Sequence, residues 1–183
     1  KPVPLLLETE RLLMREWRAE DFAAFHAMNN DPEVRRYYPG LQSLEKSHDF
    51  MVRAQQRDVR DGFFFQPVFD KRTGAFVGDV GIAKIDFEAP FTGGTEIGWM
   101  LEQKYWGRGY AVEMATAVLD HAFNALGIRE VLAFTVPTNQ KSRRVMEKLG
   151  MQHDPRGTFD NPTIPEGHAY RPHVLYRARP PVA

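Results

Sequence analysis

The sequence predicts a single domain of the mixed α/β class, and three observations predict it. The chain has 183 residues, enough for one sizeable core and short of two. Strand-like runs at 63–70, 75–87 and 94–101 follow one another through short Gly-bearing turns, the pattern of an antiparallel meander. The third run, a long amphipathic stretch and the apolar run Val131–Val136 then form a strand–helix–strand unit, which calls for a parallel crossover.

Taken in order, residues 9–18 read as a first strand, with Leu12, Met14 and Glu16 on one face and Leu13, Arg15 and Trp17 on the other; the alternation is weak. Asp21 can cap a helix that turns Phe22, Phe25 and Met28 inward and stops at Asn29-Asn30-Asp31-Pro32. Ser43 can cap a second helix, with Leu44, Phe50, Met51 and Ala54 inward and a charged opposite face. Asp70-Lys71-Arg72-Thr73-Gly74 joins the first two meander strands as a hairpin, and Phe91-Thr92-Gly93-Gly94 leads into the third. The longest helix spans about 108–126, with Ala111, Met114, Ala115, Val118, Leu119, Ala122 and Leu126 on one face and Gly127 as its stop. Helix 139–149 turns Val145, Met146 and Leu149 inward and ends at Gly150. Strands 151–159 and 169–178 close the chain around the Pro-, Gly- and Asp-rich loop 160–168. The order is β α α β β β α β α β β, without internal repeat or linker, so residues 1–183 read as one domain.

Composition excludes several classes. Lys plus Arg and Asp plus Glu are 24 each, so there is no overall pull toward nucleic acid or an anionic membrane, and an anion site must be local. With no Cys there is no disulfide, Cys-ligated zinc or cysteine nucleophile, and a cytoplasmic location fits. The six His show no metal spacing, so no metal is expected, and His26 and His121 read as helix-surface residues. No apolar run approaches the roughly 20 residues that span a bilayer. The start Lys1–Leu7 is too short for a signal sequence, although a chain beginning without Met leaves a trimmed leader open.

The most informative stretch is the turn between the 94–101 strand and the longest helix, Lys104-Tyr105-Trp106-Gly107-Arg108-Gly109-Tyr110-Ala111. A turn of this kind aims several main-chain N–H groups at one point before a helix N-terminus, where the positive dipole end also lies, and such a point attracts phosphate. A dinucleotide fingerprint would need Gly where Val112 stands, and Gly-Lys-Ser/Thr is absent from the chain. What remains is a basic or amide residue, two residues, Gly, one residue, then Gly: Lys104, Gly107 and Gly109.

This pattern resembles the acyl-CoA pyrophosphate loop of the GNAT N-acetyltransferases, with Lys104 where Gln or Arg is usual. Glu96-Ile97-Gly98-Trp99-Met100-Leu101 ahead of the turn, Asn139-Gln140-Lys141-Ser142 leading into Glu147-Lys148-Leu149-Gly150-Met151, and Thr9–Arg15 are similar to the RimJ/RimL branch. So are Pro165-Glu166-Gly167-His168 and His173-Val174-Leu175-Tyr176. The resemblance implies a central twisted sheet of about seven strands, splayed after the fourth and flanked by about four helices. It also implies direct transfer of acetyl from acetyl-CoA to an amine, with homodimers a family-level expectation.

Site residues follow from the resemblance. Main-chain amides of Tyr105–Tyr110 would take the diphosphate, with Gly107 and Gly109 removing obstruction, Arg108 adding charge and Lys104, Trp106 and Ala111 completing the loop; the competing reading is a tight turn with an exposed Arg. Trp99, Met100 and Leu101 would pair with the pantetheine arm, with Gly98 permitting a bulge. Glu96 is the candidate base; otherwise it is a solvent-facing strand residue paired with Lys or Arg. Where many relatives carry a Tyr acid this chain has Met146, which leaves Ser142 to hydrogen-bond the sulfur, while Asn139 either contacts coenzyme or only caps its helix.

On the acceptor side, Glu16 is a candidate for binding the ammonium, and Trp17, Tyr37 and Tyr38 for walling the cleft. Phe63-Phe64-Phe65 reads as core with one ring free to line a pocket, and Arg143 and Arg144 as a solvated face within reach of a 3′-phosphate. The acceptor's identity has no readable code in the early helices or the 160–168 loop. The rival readings are a non-catalytic acyl-CoA-binding module, motivated by Met146, and a nucleotide-binding regulator.

Overall fold

A computed structural model describes residues 7–182, so the apolar start at 1–6 lies outside the described residues. The strands are β1 (Leu7–Glu8), β2 (Leu12–Met14), β3 (Phe65–Asp70), β4 (Phe76–Lys84), β5 (Thr95–Leu101), β6 (Val131–Thr135), β7 (Gln152–Asp160) and β8 (Pro172–Ala178). The helices are α1 (Phe22–Asn29), α2 (Leu44–Asp61), α3 (Tyr110–Asn124) and α4 (Gln140–Lys148). One eight-stranded sheet runs in the order β1-β2-β3-β4-β5-β6-β8-β7. Every neighbouring pair is antiparallel except β5–β6, whose crossover is α3.

Eight strands replace the expected seven because Leu7–Glu8, ahead of the expected run 9–18, forms a strand of its own, and the run itself shortens to Leu12–Met14. Thr9 turns the chain back, its N–H donating to the Leu12 carbonyl and its hydroxyl accepting from the Leu12 N–H at 3.1 Å, so β1 pairs with β2 as a short hairpin. Residues 15–18 lie outside any strand. Leu12 and Met14 are fully buried on one face, as the alternation predicts.

Asp21 acts differently from its expected role. It does not cap α1; its carboxylate accepts from the Arg18 N–H and binds the Arg15 guanidinium through two bonds of 2.8 Å, fixing a 3-10 turn at Ala19–Asp21. Ser43 does cap α2, accepting from the Lys46 N–H at 3.1 Å. Leu44, expected inward, is 63% exposed because it sits in the first turn, beyond the sheet face that Met51 and Ala54 cover. Leu126 lies past the end of α3 and is also exposed. His26 is half-buried rather than a surface residue, its Nδ1 within 2.8 Å of the Ser47 hydroxyl.

The sheet is covered on both faces. Met114, Ala115, Val118 and Ala122 of α3 pack on Val77, Val80 and Ile82 of β4, and each fully buried Met or Val side chain contributes roughly 1.5–3 kcal/mol of transfer free energy. On the other face Phe25 and Met28 of α1 and Met51 and Ala54 of α2 pack with Trp17 and Phe64.

One irregularity positions the site. β5 and β6 are in register at a single pair, Glu96 with Leu132. The Glu102 N–H donates to the Val77 carbonyl at 2.9 Å. Strand alternation then turns the main chain of Met100, Gly98 and Glu96 toward β4, and that of Ile97, Trp99 and Leu101 toward the opposite edge. Beyond Glu96 that edge has no registered strand partner among the described residues. The expected bulge at Gly98 is absent, since β4 and β5 stay in unbroken register from Gly78–Leu101 to Lys84–Thr95. Gly98 is needed for another reason: a Cβ there would meet the Phe65 ring at 3.1 Å.

Candidate active site

Where β5 and β6 part, a cavity of about 480 Å³ opens. Its floor is one face of β4 and β5: the register sets Asp79 opposite Met100, Gly81 opposite Gly98 and Ala83 opposite Glu96, and cross-strand partners point to the same side. Asp79, Glu96, Gly98 and Met100 all line it. Across the gap stand Thr135 of β6 and Ser142 and Met146 of α4; the near wall is Phe25, Phe50 and Phe65, and the 160–168 loop adds Asn161, Thr163 and Ile164.

The cavity holds two acids whose carboxyls are desolvated. Burial pushes the Glu96 carboxyl up to about 8, the Arg57 guanidinium lowering it and Asp86 raising it further. Arg57, itself buried, is anchored to the Lys84 carbonyl and to Asp86 at 3.0 Å, so its charge is held at the Glu96 end of the sheet. Burial alone pushes the Asp79 carboxyl up to about 7. Tyr38 is 43% exposed as a residue, yet desolvation of its hydroxyl raises the phenol; Arg35 opposes this, and Asp79 and Glu96 add to it. Burial lowers His173 and so favours its neutral imidazole, while hydrogen bonds to the Arg171 and Pro172 main chain oppose the shift; its Nδ1 lies 3.0 Å from the Arg171 carbonyl.

At the far end of β5 lies the Gly-bearing turn. Gly107 and Gly109 both have φ of 75°, the left-handed region, and Gly109 is the residue before α3. The first N–H groups of α3 have no partner within the helix. Lys104 is exposed and lies 3.5 Å from Glu102, while Arg108 lies 5.6 Å from the Tyr105 ring centre. The Tyr110 ring is buried beneath Arg11, so only its main chain faces the turn. Ala111 packs on the core. The Trp106 indole donates to the Leu101 carbonyl at 3.0 Å, and Lys141 of α4 lies 4.0 Å over its ring.

The structure therefore brings Glu96, Trp99, Met100, Ser142 and Tyr37 to one cavity. Lys104 through Ala111 and Leu101 lie beyond its lining, along the continuation of β5. Asn139 caps α4, accepting from the Ser142 N–H at 3.3 Å, and ties to the Thr135 hydroxyl at 3.1 Å. Glu16 does not line the cavity. Trp17 is buried beside it, its indole bonded to the Phe65 carbonyl at 2.9 Å. Phe63 and Phe64 are core, while Phe65 lines the cavity. Arg143 is not on a free solvated face, since it donates to the Tyr176 hydroxyl and the Pro137 carbonyl, each at 3.0 Å. Sequence reasoning missed Asp79, Arg35 and His173. For Asp79 a signal existed: one acid in the middle of the otherwise apolar run Phe76–Ala83.

A family profile described as acetyltransferase (GNAT) domain matches residues 11–152. The chain is 36% identical over 148 residues to the uncharacterized protein YkkB of Bacillus subtilis, covering 80% of this chain and 85% of YkkB. A solved acetyltransferase of the GNAT family from Bacillus anthracis is 29% identical, with a TM-score of 0.78 over 96% of this chain and 98% of that one. Mycobacterium smegmatis RimJ in complex with CoA-disulfide shares the fold at 20% identity, with a TM-score of 0.76 over 96% and 88% of the two chains. No helix among the described residues is long and apolar enough to cross a membrane.

Proposed function

The chain belongs to the GNAT acetyltransferase family, and on that premise we propose that it moves the acetyl group of acetyl-CoA directly onto a primary amine seated in the cavity, with Glu96 taking the proton. One observation carries the reading: a carboxyl raised to about 8 by burial stands at the single point where β5 and β6 meet. An alkyl ammonium titrates near 10.4 and an α-ammonium near 7.7–8.0, and neither attacks until its proton leaves. A carboxylate of ordinary basicity accepts that proton poorly, whereas one near 8 brings the transfer within about two units of balance. An arriving ammonium also favours the charged form of Glu96, so the ion pair that precedes transfer assembles at neutral pH.

Two features of the chain fit the coenzyme. The open edge of β5 presents main-chain groups of Ile97 and Trp99 to an extended amide-bearing arm. The left-handed glycines ahead of α3 clear a path for a diphosphate to the free N–H groups there. On this reading Trp99 and Met100 hold the arm, and Lys104, Trp106, Gly107, Arg108, Gly109, Tyr110 and Ala111 form the diphosphate cradle. The carbonyl of Leu101 is already engaged by Trp106 and contributes packing. When bound, acetyl-CoA supplies a thioester whose carbonyl carbon receives the amine and whose sulfur leaves as thiolate. Ser142 would donate a hydroxyl hydrogen bond to that sulfur, and a thiolate whose acid has a pKa near 8.5 leaves without a dedicated acid and takes its proton from solvent. Met146 has no proton to give, and without Cys the chain forms no cysteine-bound acyl group.

The test is thiol release from acetyl-CoA across a panel of amines, followed by initial-velocity kinetics with the best one. Intersecting patterns are expected, as for a ternary complex. Parallel patterns, or coenzyme binding with no turnover on any amine, would overturn the proposal.

A further inference from the structure

One acid on the cavity floor has no part in this chemistry. Asp79 sits in β4 between Gly78 and Val80, is 8% exposed and lines the cavity. Among the described residues it makes no hydrogen bond or ion pair, and no cation or donor offsets the effect of its burial. An unpartnered buried carboxyl is costly. Its main chain belongs to the β4 ladder, but no turn or cap among the described residues uses its carboxyl.

Its position relative to Glu96 is fixed by the sheet. Asp79 is opposite Met100, and Glu96 lies four residues from Met100 on the same face of the same strand, a separation of roughly 13 Å at about 3.4 Å per residue. Between the two acids the floor and near wall are apolar, with Gly98 beneath Phe65 and Phe25 and Phe50 in the wall, while Thr135, Ser142 and Asn161 bring polar groups from the other elements. The trough therefore has a carboxyl group at each end, and an arriving cation would favour the charged form of each.

We propose that the acceptor is an extended diamine-like molecule, its reacting nitrogen at Glu96, its methylene chain along the aromatic wall and its second cationic group on Asp79. This rests on the amine-acetylation reading above. The cavity's two arginines do not argue for a carboxylate-bearing acceptor instead. Arg35 is committed, its guanidinium 4.4 Å over the Tyr38 ring and bonded to the Gly40 carbonyl at 2.9 Å. Arg53 is exposed on α2, 5.6 Å from the Phe50 ring.

The experiment compares octamethylenediamine with the amino alcohol of the same chain length, and with a free amino acid, as acceptors for the native chain and for Asp79→Asn. Expected is a kcat/KM at least tenfold higher for the diamine than for the amino alcohol, with Asp79→Asn erasing that ratio through KM while leaving kcat for the amino alcohol within twofold. Equal use of diamine and amino alcohol by the native chain, a preference for the amino acid, or an equal loss on both amines in the variant overturns the subsite. Diamine binding is measured in parallel by calorimetry with CoA present. Binding that depends on Asp79 without turnover of any amine would sink the acetylation reading and leave the subsite standing. Absence of both binding and turnover sinks the subsite too. The melting temperature of Asp79→Asn, expected at or above native, excludes misfolding as the cause.

Discussion

The turn ahead of α3 and the cavity beside β5 meet along one strand, yet they are built from different material. On the proposed function the turn would act through main-chain amides, and the residues that matter there set dihedral angles: two glycines at φ 75° before a helix. The cavity would act through side chains brought from distant parts of the chain: Asp79 and Glu96 from neighbouring strands, Phe50 from α2, Ser142 from α4 and Asn161 from the closing loop. The first kind of site is local and tolerates changes of side chain that keep the backbone path. The second exists only once the sheet has formed, and it responds to single side-chain changes by losing charge or solvation.

The largest effect that sharpens this contrast is at Glu96. Replacing it by Gln keeps the shape and removes the proposed base, so kcat should fall by about 10²–10⁴-fold, the range that positioned proton transfer supplies. The pH profile of kcat/KM gives the sign. In the native chain activity should rise as Glu96 ionises, with a bend expected near pH 8. In Glu96→Gln that bend should vanish, the rate climbing until the amine's own pKa, about 10.4 for an alkyl amine. A variant that keeps the bend near pH 8 would move the base elsewhere.

A smaller, opposite pattern is expected at the turn. Gly109→Val places a β-branched residue in the left-handed region, which costs on the order of 1–3 kcal/mol and pulls the first amides of α3 off their common point. KM for acetyl-CoA should rise roughly tenfold with little change in kcat or in KM for the amine. Lys104→Ala, which removes an exposed side chain, should change KM for acetyl-CoA less than threefold. Steady-state kinetics on both variants decides: a larger effect at Lys104 than at Gly109 would mean that side-chain charge, and not main-chain geometry, grips the coenzyme.

This difference also explains what the sequence made legible. The turn, the longest helix and the meander are local patterns, and Gly107, Gly109 and Met114–Ala122 announce themselves through spacing. The parting of β5 from β6 was implied by resemblance alone, because nothing in Thr95–Leu101 says how many residues of its edge will find a partner. Glu96 was singled out by its strand, but its altered basicity comes from surroundings spread over α2, β4 and β6. Asp79 went unnoticed because an isolated acid in a strand reads as a surface position until the covering helices are in place. The short strand Leu7–Glu8 and its turn at Thr9 are not legible because weak alternation is shared by a short hairpin and a single frayed strand.

The smallest expected effect separates the two acids from the rest of the core. For each, the folded-state pKa lies above the ordinary value, about 7 against 3.8 for Asp79 and about 8 against 4.5 for Glu96. Below the ordinary value both folded and unfolded chains hold the proton, and no difference arises. As pH rises the unfolded chain releases it first, so the folded chain binds more protons and stability declines until the folded group has also ionised. Asp79→Asn and Glu96→Gln remove this penalty. Each should therefore melt close to the native chain near pH 4 and above it at pH 8.5, by on the order of 5 °C for a domain of this size. Gly109→Val, which alters no titrating group, should show a melting offset that does not vary with pH. Melting curves of the three variants at both pH values decide the matter: a pH-independent offset at Asp79 would mean that its carboxyl is neutralised by a partner, and the cavity floor would then carry a structural ion pair in place of a free acid.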